Sequence, residues 1–445
     1  MEKNRATWNS RYGYIMAAAG FSIGLGNIWR FPYLAGKMGG GIFVLSYLII
    51  CIIIGIPLFY MEVSLGRKAR SNPIKGMRKL EGKGSPWVLF GWFGILSAFI
   101  ILTYYFQVMG WLIAYIFKMI SGSLSSASDY GQVFNSFASN SLMVIVFMIA
   151  SMIIVGFISS KELNQGLEKS YKIMIPALFI MLIILAIRSI TLPGAKEGLK
   201  WFFKVDFSKL DSKVLLSALG QCFFSVGIAS GGAFVYGSYL KEQSDLPLDG
   251  VIVIIIDSLA AILAGLVIFP AIFAMGINPD SGHKLLFITA SELFSNVNLG
   301  SIFGAVFFIL VFFAALSSAL GYLEPIISTL SESMSMSRKK AVWLSLIAIF
   351  VFSLPNVLSF GVLSDLKLMG YNIFEFTDQF NGNIIMPIAA IILTFYTVFK
   401  WGFDSFKDEV NKGSNSFKLT NAYKPIVIFI IPVALIIILF NNVIF

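Results

Sequence analysis

Gly20-Phe21-Ser22-Ile23-Gly24-Leu25-Gly26-Asn27-Ile28-Trp29-Arg30-Phe31-Pro32 places three glycines, an asparagine and an arginine inside the first hydrophobic segment of the chain. Each interior glycine weakens a helix by roughly 1 kcal/mol against alanine. An ionisable residue at bilayer depth costs about 2.5 to 3.5 kcal/mol on insertion scales. A helix broken at this point frees backbone carbonyls and N–H groups where there is no water. Such groups can ligate a cation and an anionic group of a solute.

The segment belongs to a chain of 445 residues that is 57% hydrophobic and 13% charged, against roughly 25% charged for a soluble domain. Mean hydropathy is +0.84. This composition defines a polytopic membrane protein with one membrane domain and no room for a soluble one. The net charge of +10 reads as topology and not as nucleic-acid binding, because Lys and Arg gather in short loops between apolar runs. Cys51 and Cys222 both lie in apolar segments, which gives no support for a disulfide framework or a metal cluster. The one histidine, His283, lies in a polar connection and reads as a surface residue. The polar, basic start (Met1 to Tyr12) has no small-residue cleavage site after it, which argues against a cleaved signal peptide.

Apolar runs bounded by charge or turn residues predict eleven spans, at about 11–36, 41–66, 88–120, 141–159, 166–187, 213–240, 247–277, 299–333, 340–354, 372–398 and 422–442. The loop after span two carries Arg67, Lys68, Arg70, Lys75, Arg78, Lys79 and Lys83, and the loop after span eight carries Arg338, Lys339 and Lys340. The loop at 121–140 holds only Asp129. The positive-inside bias therefore predicts a cytoplasmic N-terminus and an external C-terminus, in the plasma membrane. Lys196, Lys200, Lys204, Lys209 and Lys213 fall on the wrong side, in a long loop shared with Glu197, Asp206 and Asp211.

A second interruption, Ser225-Val226-Gly227-Ile228-Ala229-Ser230-Gly231-Gly232, lies in span six. Spans one and six each open a group of five, so the breaks fall at corresponding positions of two halves. That pattern points to an inverted-repeat transporter with its site at the midplane. For one segment alone, close packing of neighbouring helices explains the glycines equally well; for the matched pair the transporter reading is favoured. The resulting all-α architecture is an N-terminal gate segment at 1–10, a first repeat at 11–187, a second at 213–398 and an extra helix at 422–442. Asn27, Ser225 and Asp257 supply side-chain oxygens, and a hard cation needs several of them. Asp257 stands alone in an apolar run and is a functional candidate by default. The pair Ser317-Ser318 in span eight either joins such a site or satisfies its own helix. Glu62 reads equally as interfacial or functional.

Trp8, Gly20, Gly24-Leu25-Gly26-Asn27 and Arg30-Phe31-Pro32 resemble the first helix of the neurotransmitter:sodium symporters, the family with the leucine-transporter fold. The resemblance continues through Gly39-Gly40-Gly41, Tyr104-Tyr105, Gly220-Gln221, Phe223-Phe224-Ser225, Tyr236-Gly237-Ser238-Tyr239 and Ser317-Ser318, and so covers nearly the whole chain. A twelfth span is missing, as in some bacterial members. The resemblance implies two sodium ions. One would touch the carbonyls of Gly20, Ile23 and Ala314 and the hydroxyls of Ser317 and Ser318. The other would touch Ser22, Asn27, Ser225, Asp257 and the carboxylate of an amino-acid substrate. That carboxylate would be held by the Leu25 and Gly26 N–H groups and the Tyr105 hydroxyl, and the ammonium by the carbonyls of Ser22, Phe224 and Ser225. Gly24 stands where carriers of monoamines have an aspartate, which implies a substrate that brings its own carboxylate.

Chloride-dependent members have a serine where this chain has Ala261, and hold the anion with residues matching Tyr47, Gln221 and Ser225. Asp257 replaces the usual asparagine, and its charge is expected to stand in for chloride. The side-chain pocket would be lined by Ile101, Tyr105, Phe224, Gly227, Ser230, Ser318 and Tyr322. Small Gly227 and Ser230 would leave room for a large neutral, hydrophobic or aromatic substrate, a space that Tyr322 competes for. Arg30 with Asp378 resembles the outer gate, capped by Tyr105 and Phe224. Arg5 with Glu332 resembles the inner gate, beside Trp8, Ser238 and Tyr239, although the family more often has aspartate at the Glu332 position. Gly166 and Pro176 resemble an element of span five that unwinds to admit water. The expectation is thus a sodium-coupled symporter of neutral L-amino acids and not an enzyme, with lipid as its surroundings. The rivals are a proton- or sodium-coupled carrier of another solute, and a channel or non-transporting sensor.

Overall fold

Hydropathy and length decide most of the helices. A computed structural model describes residues 5–124, 127, 129–276, 286–295 and 299–444; His283 lies outside the described residues. Among these, nine helices are long and apolar enough to cross a bilayer: Gly41–Ala69, Pro86–Ile120, Ser141–Ser159, Asn164–Ile190, Leu246–Ala274, Gly300–Ser333, Arg338–Leu358, Ile373–Trp401 and Asn421–Phe440. They are spans two to five and seven to eleven. Spans one and six complete the eleven, and both are broken. Span one runs Arg11–Ser22, loses its winding, and resumes through a π-turn at Gly26–Arg30 into Phe31–Lys37. Span six is Ser212–Val226 followed by Gly232–Ser238. The fold is the all-helical inverted repeat of five and five helices with one further helix.

Burial sorts the spans into layers. The most apolar window of span eight is 72% buried inside the protein, whereas those of spans four and eleven are 33% and 28% buried. Span eight is thus a central post, and the other two form the rim, where Phe157 and Phe429 stand exposed. Such exposed apolar side chains at the perimeter are what a lipid solvent requires.

Sequence periodicity left unassigned the short amphipathic helices that lie across the ends of the spans, such as Pro73–Glu81, Ala195–Phe203 and Phe403–Asn411. The second of these carries two of the lysines that run against the charge rule, Lys196 and Lys200, and Lys204 caps its end. Phe202 is fully buried and Trp201 packs on Phe269, so the helix is fastened by one face while Lys200 and Lys204 stay at the surface. Charge on a folded surface helix carries less topological information than charge in a short loop.

The break in span six depends on three residues in the left-handed region, Gly227 (φ 66°), Ala229 (φ 66°) and Gly231 (φ 75°). For Ala229 this conformation costs about 1 to 2 kcal/mol. Glu62 offsets that cost. Its carboxylate is fully buried and accepts the N–H groups of Ala229 at 2.6 Å and Phe234 at 3.3 Å. Glu62 is therefore not interfacial; it substitutes for the carbonyls that the unwound segment no longer supplies. Glu62→Ala leaves those donors unpaired and is expected to cost about 2 to 4 kcal/mol. The variant should melt several degrees lower in detergent, and an unchanged melting temperature would contradict this role.

Candidate functional site

The two breaks face each other, and oxygen atoms crowd between them. Asn27 donates its amide to Ser225 Oγ at 3.0 Å, to the Asp257 carbonyl at 3.0 Å and to Asp257 Oδ1 at 2.8 Å. Asn27 Oδ1 accepts the N–H of Gly24 at 3.2 Å. On the other side of Asp257, Oδ2 accepts Ser225 Oγ at 2.7 Å and the Tyr47 hydroxyl at 3.2 Å. Asp257, Asn27 and Ser225 are all at most 1% exposed. A carboxylate in such a place needs either donors or a cation, and this one has three donors and a set of neighbouring oxygens. Ser22 joins from span one, its hydroxyl reaching the Ala18 carbonyl at 3.2 Å and the Val226 carbonyl at 3.4 Å. The Gln221 amide donates to the Gly26 carbonyl at 3.0 Å and its oxygen accepts from Arg30 at 3.3 Å.

A second oxygen cluster forms where span one meets span eight. Ser317 Oγ lies 3.2 Å from the Ile23 carbonyl and 2.9 Å from that of Ala314, and Ser318 Oγ lies 3.2 Å from the carbonyls of Phe21 and Ile23. Ser317 thus bonds both its own helix and span one, so neither simple reading of the pair is complete. The second cluster consists of hydroxyl and carbonyl oxygens, and the first gathers the Asp257, Ser225 and Ser22 oxygens around the Asn27 amide; oxygen is the ligand type that suits a hard cation. Gly20 is tightly packed beside this cluster, where a Cβ would meet Tyr171 at 2.6 Å.

Beside the clusters is a cavity of about 250 Å³. Its floor is Ser22, Gly24, Leu25, Gly26 and Ser318, and its walls include Ile101, Tyr105, Phe224 and Tyr322. It continues past Arg30 and Asp378 to Glu375, Gln379 and Asn383, which are half-exposed. The Tyr105 hydroxyl faces the Leu25 N–H and the Ser318 hydroxyl. A Cβ on Gly24 would come within 2.5 Å of Ser318 Oγ and 3.3 Å of the Tyr105 hydroxyl, and one on Gly26 within 2.7 Å of Phe224. These glycines keep the floor open to backbone groups.

Gly227 and Ser230 are not on this wall. Ser230 is fully buried and bonds the Gly227 carbonyl at 2.9 Å. The space expected beside Gly227 is filled by Phe21, whose ring would lie 3.0 Å from a Cβ there and also abuts Gly232 and Gly321. Phe21 in turn meets Tyr322 edge-on at 5.1 Å. Two glycines of the span-six break and one of span eight cage a ring of span one, a relation that hydropathy cannot register.

Arg30 and Asp378 flank the half-exposed end of the cavity. Arg30 donates to the Gly220 carbonyl at 3.2 Å and lies over the Phe224 ring at 5.0 Å, while the Tyr104 hydroxyl faces Asp378. The end where the chain begins is sealed. Arg5 is ion-paired with Glu332, donates to Ser238 Oγ at 2.9 Å and lies over the Tyr239 ring at 4.7 Å. Trp8 is 4% exposed and donates its indole N–H to the Tyr236 carbonyl at 3.0 Å.

Sequence reasoning missed a second pair there. Glu324, fully buried, accepts the Tyr239 hydroxyl at 2.7 Å and both Arg338 terminal nitrogens at 2.8 and 2.7 Å. Glu324 inside an apolar span was the available signal, of the same kind that marked Asp257. Gly166 lies in a π-turn at Asn164–Glu168 that opens span five, and Pro176 sits inside the following helix.

Two broken helices that face each other around a buried, oxygen-rich cluster are the architecture of a secondary transporter. The family model described as the sodium:neurotransmitter symporter family matches residues 5–140 and 127–445. The chain belongs to that family: it is a sodium-dependent, multi-pass membrane symporter. It is 35% identical over 443 residues to the uncharacterised sodium-dependent transporter YhdH of Bacillus subtilis, covering 99% of this chain and 98% of that protein. An uncharacterised sodium-dependent transporter of Haemophilus influenzae is 36% identical, again with 99% and 98% covered. The sodium-dependent serotonin transporter of Drosophila melanogaster is 26% identical over 92% of this chain and 72% of its own length. Among solved structures, the crystal structure of MhsT in complex with L-phenylalanine superposes with a TM-score of 0.89 at 37% identity, over 99% of this chain and 100% of that one.

Proposed function

We propose that the protein is a symporter of neutral, hydrophobic or aromatic L-amino acids that works by alternating access and does not require chloride. The observation that carries this reading is the floor of the cavity, where the Leu25 backbone and the Tyr105 and Ser318 hydroxyls converge and Gly24 adds no side chain. The amino acid's carboxylate lies against that floor, held by the Leu25 and Gly26 N–H groups and the Tyr105 hydroxyl. Its ammonium meets the carbonyls of Ser22, Phe224 and Ser225. The wall of Ile101, Phe224 and Tyr322 suits an apolar side chain. The solved relative's L-phenylalanine supports the same class.

Two sodium ions complete the site. One is held by Gly20, Ile23, Ala314, Ser317 and Ser318, the other by Ser22, Asn27, Ser225, Asp257 and the substrate carboxylate. Ion and substrate then share ligands, so each raises the other's affinity, which is the thermodynamic content of coupling. Asp257 supplies the negative charge that chloride would otherwise bring. The sealed end with Arg5, Trp8, Tyr239 and Glu332 is cytoplasmic, as the distribution of Lys and Arg supports. The end with Arg30 and Asp378 opens outward at the plasma membrane.

The test is binding of labelled leucine, phenylalanine, tryptophan, glycine and glutamate to purified protein in Na⁺ and in K⁺, repeated with gluconate for chloride. Sodium-dependent binding of the first three that survives gluconate is expected. Sodium-independent binding, or none to any neutral amino acid, would defeat the reading.

A further inference from the structure

The start of span one rests on a single carboxylate from another helix. Glu168 is 1% exposed. Its Oε2 accepts the backbone N–H of Asn9 at 2.9 Å, and its Oε1 accepts the Ser10 hydroxyl at 3.1 Å and the Lys172 ammonium at 2.6 Å. Ser10 is the N-cap of span one, its Oγ accepting the Gly13 N–H at 3.0 Å. Gly13 is required by this contact, since a Cβ there would overlap the Glu168 carboxylate. Glu168 thus places an anion at the positive end of span one; Trp8 lies two residues before the Ser10 cap and Arg5, of the gate pair, five.

Glu168 itself closes the π-turn of span five, its N–H bonding the Leu163 carbonyl at 3.0 Å. A π-turn holds one residue more than an α-turn. Winding it back by one residue turns the side chains on one flank of it by about 100° relative to the other. The carboxylate reaches Asn9 and Ser10 only in the present winding.

We propose that Glu168 is a positioning residue that couples the winding of the span-five π-turn to the seating of the span-one gate. With the turn in place, Glu168 caps span one and holds residues 5–8 over the sealed end. A change in the turn withdraws the carboxylate and releases that segment. The coupling rests on the alternating-access reading above.

The test is hydrogen exchange on the full-length protein in NaCl and in KCl, followed in peptides covering 5–14, 160–170 and 41–69, for wild type, Glu168→Gln, Glu168→Asp and Gly13→Ala. In wild type, protection of 5–14 and of 160–170 should rise together with sodium. In Glu168→Gln, exchange of 5–14 should be about tenfold faster and indifferent to sodium, while 160–170 still responds and 41–69 is unchanged. Glu168→Asp keeps the charge and should partly restore the response. Gly13→Ala displaces the carboxylate from the span-one side and should reproduce the loss, and it serves should Glu168→Gln fail to fold. A purely structural role would speed exchange everywhere without uncoupling the two peptides. If 5–14 still follows sodium in Glu168→Gln and Gly13→Ala, the coupling is overturned while the transport reading stands. Wild-type protein that binds no amino acid in sodium overturns the transport reading and the coupling with it.

Discussion

Replacing Asp257 by asparagine is expected to raise the sodium concentration for half-maximal amino-acid binding by at least about tenfold in chloride-free buffer. The side chains are nearly isosteric, so packing around this fully buried position is preserved. What changes is charge and hydrogen-bond polarity. Asn27, Tyr47 and Ser225 all direct donors at the carboxylate, at 2.8, 3.2 and 2.7 Å. An amide offers one acceptor where the carboxylate offers two, and sets its NH₂ against donors. A unit charge about 4 Å from a cation is worth about 4 kcal/mol at an effective dielectric near 20. The desolvation cost of a buried carboxylate cancels part of that, leaving about 1.5 to 3 kcal/mol, or tenfold to a hundredfold. Titration of labelled amino-acid binding against NaCl measures it directly. A sodium dependence identical to wild type would remove Asp257 from the ion site.

Gly24→Asp should have the largest effect of any single change, reducing amino-acid binding by more than about a hundredfold. Sterically, even a methyl group meets Ser318 Oγ at 2.5 Å. Electrostatically, a fixed carboxylate would occupy the floor beside Leu25 and Gly26 and repel the substrate's own. Separating the two effects requires Gly24→Ala, which adds bulk without charge and should lose only part of the affinity. Gly24→Asp should in compensation favour an amine without a carboxylate, so phenylethylamine should compete better than phenylalanine in this variant and worse in wild type. Retention of phenylalanine binding by Gly24→Asp would mean that the substrate carboxylate lies elsewhere.

Both predictions begin from residues visible in the sequence, and the reason is physical. Asp257 and Gly24 are costly where they stand, an isolated carboxylate in an apolar run and a helix breaker inside a span, and cost of that kind is local. Glu324 carries the same signal, but it sits toward the end of the long helix Gly300–Ser333, where an acidic residue is also compatible with an interfacial position. Glu62 posed that ambiguity openly, and its contact with Ala229, 167 residues away, resolved it. The span ends were legible to within a few residues: the third, fourth and eighth spans end as expected at Ile120, Ser159 and Ser333, the sixth and seventh stop short at Ser238 and Ala274, and the second runs on to Ala69.

The pocket was less legible. Gly227 and Ser230 suggested an ample volume because small residues in a lining leave room, yet the volume belongs to Phe21. No property of residue 21 in isolation announces that its ring will lodge among Gly227, Gly232 and Gly321. Likewise nothing in the sequence around Glu168 announces that the π-turn aims its carboxylate at Asn9 and Ser10.

By itself the sequence determined that the chain is a membrane protein of eleven spans, that spans one and six are broken, and that a carboxylate lies in the apolar run of span seven. These follow from hydropathy, helix propensity and the price of burying charge, which act over a turn or two of chain. Only the tertiary structure decided what the breaks face, how the pocket is divided, and which carboxylates hold backbone instead of ions. Those outcomes depend on pairs such as Glu168 with Asn9, Glu62 with Ala229 and Phe21 with Gly321, whose partners are brought together by packing and share no local pattern.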